Sequence, residues 1–219
     1  MDVPEFKRLL TQKPHDFSGV DLSRLNLEEF DLHFRGFRYA NLSNTNFNRA
    51  NLQGCQFSQA DLTSASFQEA DLSNCNLSYA NLTKVNFIRA TVMYANISFS
   101  NIMEGKLVDA DLSYSNFSYS NLNRSCLKKT NLQSAKLDKA YLRYVNLVNA
   151  NLQEASLQYI ELTDANLEGA NLAGANLKYA NLEGTNLREA NLTNACLENA
   201  RLAEALFGNT IVPDGSIRN

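Results

Sequence analysis

Apolar side chains recur at every fifth position along almost the whole chain. Steps of five residues from Phe17 to Phe207 meet an apolar residue each time, giving 39 consecutive positions that we call the centres. The residue two places before a centre is nearly always small, and the residue directly before it is usually Asn or Asp. The two residues after the centre vary and are mostly polar. The repeating unit is therefore Ala-Asn-Leu-x-x.

This five-residue period excludes both a straight α-helix and a straight strand. Five residues turn a helix by about 140°, so the centres would spread around its axis. In a strand the side chains alternate between faces, so successive centres would point in opposite directions. The chain must bend once per repeat to bring each centre back to one interior. The small residue, two places earlier on the same face, points inward with it. The pattern therefore predicts a coil with a filled core.

The phenylalanines indicate how many walls the coil has. All eight Phe centres have numbers ending in 7, whereas the alternate centres are Leu, Val or Ile. A ten-residue pattern requires an even number of walls. Two walls leave no core and six leave a void, so four walls of five residues are predicted. The prediction is about ten coils, about 45 Å in length at the usual strand spacing. Representative core centres are Phe37, Phe47, Leu132 and Leu172.

The tandem Ala-Asn/Asp-Leu/Phe-x-x unit resembles the pentapeptide repeat family over residues 15 to about 209. The resemblance implies an all-β fold, a right-handed quadrilateral parallel β-helix. The preference of parallel crossovers for a right-handed path favours the same hand. Proteins of this kind are especially numerous in cyanobacteria, which is a weak indication of the source.

Both ends of such a stack need covers. We predict three parts: an N-terminal capping helix in residues 1–14, the β-helix in residues 15–209, and a C-terminal tail or cap in residues 210–219. The helix should run from Pro4 to about Gln12, since proline suits a first helical turn. Its apolar face would enter a wide first coil, where large residues replace alanine: Val20, Leu25 and Phe30. The C-terminal end is predicted to be either a simple cap or a hydrophobic end that pairs with a second copy. The protein is thus expected to be a monomer or an end-to-end dimer.

A twenty-residue coil places residues twenty apart in one outward column. One column alternates in charge: Glu29, Arg49, Glu69, Arg89, Asp109 and Lys129. Another is rich in aromatic residues: Tyr39, Gln59, Tyr79, Phe99, Tyr119, Lys139, Tyr159 and Tyr179. The aromatic column either seals a corner or serves as a partner surface, because aromatic residues anchor interfaces. The best candidate partner surface comprises Tyr79, Met93, Tyr94, Phe99, Met103 and Tyr119.

The pattern contains no arrangement of residues that is typical of a catalytic site. The two histidines, His15 and His33, have no cysteine at metal-ligand spacing, and no Gly-rich phosphate loop is present. We expect no catalytic residue, no metal and no cofactor. Cys55 and Cys75 would stack one coil apart, where a disulfide is geometrically feasible. Buried reduced thiols are favoured because the N-terminus does not read as a secretion signal, and the sequence leaves any oxidation open.

The net charge and the hydropathy of the sequence indicate which kinds of partner the protein can bind. A net charge of −3 and a pI of about 5.5 argue against direct nucleic-acid binding, and no apolar run is long enough for a membrane span. A filled rod offers no cleft for a small-molecule substrate. We expect a cytoplasmic, non-catalytic scaffold that binds an unidentified protein partner through its outer surface. The alternative, implied by the resemblance, is a DNA-mimic inhibitor or protector of DNA gyrase or topoisomerase.

Overall fold

The computed structural model describes residues 1–12 and 15–219, in which one helix and one small hairpin flank a long parallel coil. Helix α1 spans Val3–Gln12, strand β1 spans Thr210–Ile211, and strand β2 spans Ile217–Arg218. Between them, each coil pairs with the next through parallel bridges between residues twenty apart, the first joining Asp16 to Gly36. One turn of the coil is therefore twenty residues, and the prediction of four five-residue walls is confirmed.

The core consists of four columns of centres, one from each wall, with small side chains between them. Every centre from Phe17 to Leu192 is buried, and Phe37, Phe47, Leu132 and Leu172 are fully inaccessible. The Phe centres form two stacks on opposite walls, Phe17–Phe37–Phe57 and Phe47–Phe67–Phe87, with ring centroids 5.0–5.5 Å apart along each stack. The stacks meet edge to face across the interior at 6.3 Å. This geometry explains why phenylalanine occurs at alternate centres.

The Asn or Asp before each centre has a specific backbone role. In one repeat, the N–H of Asn81 donates to the carbonyl of Ala60 on the previous coil, and the N–H of Leu82 donates to Asn101 on the next. The side-chain oxygen of Asn81 then accepts the N–H of Thr83, which has no partner in the neighbouring coils. A buried or half-buried N–H without a partner is costly, so Asn and Asp are favoured there. Their side chains also bond to one another between coils, as when the amide of Asn51 donates to the carboxylate of Asp31 at 2.9 Å.

Each corner is a tight turn whose third residue has a left-handed backbone. The N–H of Ala80 donates back to the carbonyl of Leu77, and the intervening Tyr79 has a φ of 60°. The second residue after the centre takes a positive φ in thirty-four non-glycine cases, all at numbers ending in 4 or 9. This position points the side chain outward at an edge of the rod, so four outward columns follow the four edges.

Helix α1 covers the N-terminal end of the coil. Phe6 of α1 is fully buried, with its ring centroid 5.1 Å from that of Phe17 and 6.1 Å from that of Phe30. The helix begins one residue earlier than the predicted Pro4, because Asp2 accepts the N–H of Glu5 and caps it. The predicted domain limit at residue 14 falls on residues 13–14, outside the described residues.

At the C-terminal end, the tail takes part in the last coil. Ile211 bridges to Asn191, and the chain then reverses at Pro213-Asp214-Gly215 to form the β1–β2 hairpin. The guanidinium of Arg218 lies 3.7 Å from the centroid of the Phe207 ring. Leu206 and Ile217 remain exposed at this end. No helix in residues 1–12 and 15–219 is long and apolar enough to cross a membrane.

Candidate functional site

The outward aromatic column follows one edge of the rod, and its rings stack in two runs. The ring centroids of Tyr79 and Phe99 are 4.9 Å apart, those of Phe99 and Tyr119 are 4.8 Å apart, and all three rings are within 5° of parallel. Tyr159 and Tyr179 stack in the same way at 4.8 Å. Stacking covers the ring faces and leaves the ring edges and hydroxyls toward solvent. The column can therefore seal a corner of the rod and also serve as a partner surface, because each stacked aromatic residue still exposes about half of its area.

Lys139 fills the place of a ring between Tyr119 and Tyr159. Its Nζ lies 5.2 Å from the ring centroid of Tyr119 and 5.8 Å from that of Tyr159, and it donates a 3.0 Å hydrogen bond to the Tyr119 hydroxyl. This hydrogen bond raises the pKa of Lys139, so the side chain stays cationic at neutral pH. The column thus changes from purely aromatic to cationic at this coil.

A second aromatic pair occupies the preceding edge. Tyr94 and Tyr114 stack with their ring centroids 5.0 Å apart. Between this edge and the aromatic column lies one wall whose outer residues are small and polar, such as Asn96 and Asn116. Over four coils this wall contains no charged residue. We call it the neutral wall, residues 54–59, 74–79, 94–99 and 114–119.

The six predicted surface residues do not form one patch. Tyr79, Phe99 and Tyr119 stack along one edge of the neutral wall, and Tyr94 lies on its other edge. Met93 and Met103 are half-buried on two different walls. Residues ten apart in a twenty-residue coil lie on opposite walls, so these two methionines flank the neutral wall from opposite sides.

The alternating-charge column forms ion pairs only in part. Arg49 contacts Glu29 at 2.9 Å, and Arg89 contacts Glu69 at 3.0 Å. Asp109 is in no ion pair among the described residues. Exposed pairs of this kind contribute at most about 1 kcal/mol each, so the column stabilises the stack weakly.

The buried thiols are hydrogen-bonded to the backbone. Cys55 and Cys75 are free, and their Sγ atoms lie 3.0 Å from the carbonyl oxygens of Leu32 and Leu52. Burial raises the pKa of the Cys75 thiol well above its usual value. No cluster of metal-binding side chains occurs in the part of the chain that the structure describes.

Comparison with known proteins identifies the repeat. The family profile described as pentapeptide repeats matches eight copies within residues 40–78, 70–107, 95–133, 106–143, 130–169 and 165–203. The chain belongs to the pentapeptide repeat family. The fold is accordingly a right-handed quadrilateral parallel β-helix with a short N-terminal helix, as the sequence predicted.

Solved structures of this family resemble the chain. HetL, a pentapeptide repeat protein involved in heterocyst differentiation regulation from Nostoc sp. strain PCC 7120, is 29% identical over all of both chains, with a TM-score of 0.49. QnrB1, a plasmid-mediated fluoroquinolone resistance protein, is 19% identical over 88% of this chain and 86% of its own, with a TM-score of 0.52. The protein alr5209 from Nostoc PCC 7120 is 32% identical over 46% of this chain and 82% of its own, with a TM-score of 0.42. No curated protein sequence matches the chain significantly.

Sequence reasoning missed several outward residues of this pentapeptide repeat protein. Tyr114 stacks on Tyr94, and the twenty-residue spacing of the two was a sufficient signal. Tyr141 was missed because it stands where the repeat has Asn or Asp, a position treated as part of the framework. Tyr144 lies at the next edge, 5.7 Å from the guanidinium of Arg124.

Proposed function

We propose that this pentapeptide repeat protein is a non-catalytic cytoplasmic scaffold that binds a protein partner through the neutral wall and its two aromatic edges. The observation that carries the proposal is the absence of charge on this wall over four coils, in a chain where 20% of residues are charged. The wall is charged again in the flanking coils, which contain Arg35 and Arg38 on one side and Lys136, Asp138 and Lys139 on the other. A neutral face bordered by aromatic residues resembles the centre of a protein interface.

The stacked rings suit a binding role because they are already ordered. Tyr39, which has no stacked neighbour, is 63% exposed, whereas Phe99 inside the stack is 46% exposed. A partner that contacts Phe99 therefore immobilises a side chain that stacking has already restricted. Ordering side chains at an interface costs about 0.5–1.5 kcal/mol each, so prior ordering favours binding.

Recognition on the walls must use side chains. The backbone groups of the neutral wall bond to adjacent coils, as when the N–H of Ile97 donates to Asn116 and the N–H of Asn96 donates to Cys75. A partner strand cannot add to a wall whose backbone is paired on both sides. Four coils extend only about 19 Å along the rod at the usual strand spacing. A partner that buries the usual area of about 800 Å² on each side must therefore extend past the edges onto the adjoining walls.

Affinity capture with matched variants tests the proposal. Phe99→Ser with Tyr119→Ser removes two stacked rings at the edge of the neutral wall, and Tyr39→Ser with Tyr179→Ser removes two rings of the same column outside it. We expect the first double variant to lose a captured protein that the wild type and the second double variant retain. Identical captured proteins for all three, with circular dichroism showing intact folds, would contradict the neutral wall as the binding surface.

The alternative, a DNA-mimic inhibitor or protector of DNA gyrase or topoisomerase, stays a prediction that a supercoiling assay tests. The likeness to QnrB1 concerns the fold alone. A DNA mimic needs an acidic surface, whereas carboxylates on this rod alternate with cations, as in the pairs Arg49–Glu29 and Lys84–Glu104. We expect no inhibition of gyrase supercoiling, and no protection from a quinolone, at micromolar protein. Inhibition of gyrase that is lost when acidic residues of the rod are substituted would favour the alternative.

A further inference from the structure

The wall that follows the aromatic column has an unusual composition at one coil. Its outward residues read Lys139, Tyr141, Arg143 and Tyr144, and all four are exposed. Arg124 lies one coil away, with its guanidinium 5.7 Å from the centroid of the Tyr144 ring. We call these five residues the basic–tyrosine patch. The patch and the neutral wall share the edge that carries Lys139, but they lie on two adjacent walls of the rod.

The cations of this patch have no carboxylate partners. The described residues form seven ion pairs, and none of them includes Arg124, Lys139 or Arg143. Five other Lys and Arg residues of the described chain do form such pairs, as Lys178 does with Glu198 at 2.7 Å, whereas most do not. Two of the three patch cations instead lie against tyrosine rings, which orient them without neutralising them.

Tyr141 interrupts a framework that does not need it. Its position along this wall normally holds Asn or Asp, and Asn121 in the coil before donates an amide hydrogen bond to Asn101 at 3.2 Å. The side chain of Tyr141 is in no hydrogen bond among the described residues, and 51% of the residue is exposed. A shallow cleft of about 310 Å³ opens beside it, lined by Tyr119, Lys139, Tyr141, Tyr159 and Glu161. The fold would accept asparagine at this place, so a structural role does not explain the tyrosine.

We propose that the basic–tyrosine patch is a second binding site, which takes an acidic, extended segment of a partner protein. Carboxylates of the segment accept hydrogen bonds from Arg124, Lys139 and Arg143, and the hydroxyls of Tyr141 and Tyr144 donate further bonds to them. This site shares Tyr119 with the edge of the neutral wall, but its cations and Tyr141 lie outside that wall. A single partner large enough to reach around the shared edge would occupy both.

A protein segment fits this surface better than a nucleic acid does. Bases bind to exposed ring faces, but Lys139 lies over Tyr119 and Tyr159, and Arg124 lies over Tyr144. Where a cation covers a tyrosine ring, the patch presents the cation, the hydroxyl and the ring edge. The next coil along the same wall carries Glu161 and Asp164, which repel a long polyanion that continues along the rod. Glu161 also lines the cleft beside Tyr141, so the carboxylates of a short acidic segment must lie toward Arg124, Lys139 and Arg143 and away from that carboxylate.

Fluorescence anisotropy with a labelled decapeptide of alternating Glu and Ser tests the site. We expect the wild type to bind this peptide at about 50 mM salt and to bind it more weakly at about 200 mM, because screening lengths shorten with salt. A Lys–Ser decapeptide should not bind. The triple variant Arg124→Gln, Lys139→Gln, Arg143→Gln should bind at least about tenfold more weakly, since charge-assisted bonds are the stronger ones.

The control changes the same total charge elsewhere. Arg24→Gln, Lys128→Gln, Lys129→Gln alters three exposed cations outside the patch, and it should shift the dissociation constant less than about twofold. Tyr141→Asn restores the framework residue, and it should weaken binding while the melting temperature stays level or rises. Equal weakening by both triple variants, no binding of the acidic peptide at millimolar concentration, or tighter binding of a ten-nucleotide oligothymidylate would each overturn the proposal.

Discussion

At the scale of single residues, the corner positions are the feature that the sequence conceals best. Thirty-four non-glycine residues take a positive φ there, although the left-handed region costs an ordinary residue about 1–3 kcal/mol. Hydrogen bonds offset this cost, because the corner N–H pairs with the next coil, as Tyr79 does with Ser98. The signal was present: five of the nine glycines, at 19, 54, 169, 174 and 184, occupy this position. It is hard to read because many other corners carry large side chains, some of which stack or form ion pairs.

Serine-to-glycine changes at two outward positions should have opposite effects. Ser64 is at a corner with a φ of 56°, whereas Ser58 directly follows a centre, where φ is not positive. We expect Ser64→Gly to stabilise the protein by up to about 1 kcal/mol, because glycine removes the left-handed strain. Ser58→Gly should destabilise it by about 0.5–1 kcal/mol, because the unfolded chain gains freedom. Thermal unfolding measures both, and a shift of the same sign for the two would contradict the corner assignment.

The inward assignment of the centres can be tested at Leu132. Leu132→Arg places an unpaired cation in a fully buried position, which costs several kcal/mol. We expect this variant to lose its β-type circular dichroism or its cooperative melting. Gln133→Arg, at the next and outward residue, adds the same charge and should melt like the wild type. The inward assignment would fail if the two variants had equal stability.

At the scale of elements, the sequence predicted what has a strong local pattern. The N-terminal helix was predicted from Pro4 to Gln12 and is found at Val3–Gln12, because proline at the start and the spacing of Phe6, Leu9 and Leu10 are helical signals. The C-terminal hairpin was predicted only as a tail or cap in residues 210–219. Its strands have two residues each, which is too short for any period to be visible.

The capping role of α1 depends on Phe6. Removing its ring leaves a cavity against Phe17 and Phe30, and such a change costs about 3–5 kcal/mol where the site is well packed. Stability in a repeat protein is roughly a sum of local terms, so the loss should concentrate in the first coils. We expect Phe6→Ala to speed amide hydrogen exchange in residues 17–37 and to leave residues 160–190 unchanged. Lys7→Ala, which removes only an exposed cation 5.5 Å from the Phe30 ring centroid, is the control. Uniform acceleration along the rod would argue against a local cap.

At the scale of the whole molecule, the coil was predictable because its interior repeats. Thirty-nine centres and the alternation of Phe determine the five-residue wall and the twenty-residue coil without reference to any partner. The candidate surfaces were harder to find, because outward residues follow no repeat and become neighbours only once the walls are folded. Tyr94 and Phe99 lie on the two edges of one wall, yet Met93 and Met103, which are also near them in sequence, lie on opposite walls.

A deletion of one whole coil should leave the rod intact. Removing residues 147–166 joins Asn146 to Leu167, which then stacks on Leu127 as Leu147 did, so every inward position downstream stays inward. We expect the shortened protein to keep the same circular dichroism per residue and to melt cooperatively within a few degrees of the wild type, because only nearest-neighbour coils contact one another.

The comparison is a deletion of residues 147–168, only two residues longer. It joins Asn146 to Gly169 and leaves the chain two residues short of the five-residue frame, so at least one wall at the junction loses its bonds to the coils on both sides. Each backbone group that loses its partner without reaching water costs about 1–3 kcal/mol, and several are affected. This variant should melt far lower or in two steps. Equal melting of the two deletions would show that the chain does not depend on the five-residue frame, and it would remove the basis for assigning any column on the rod.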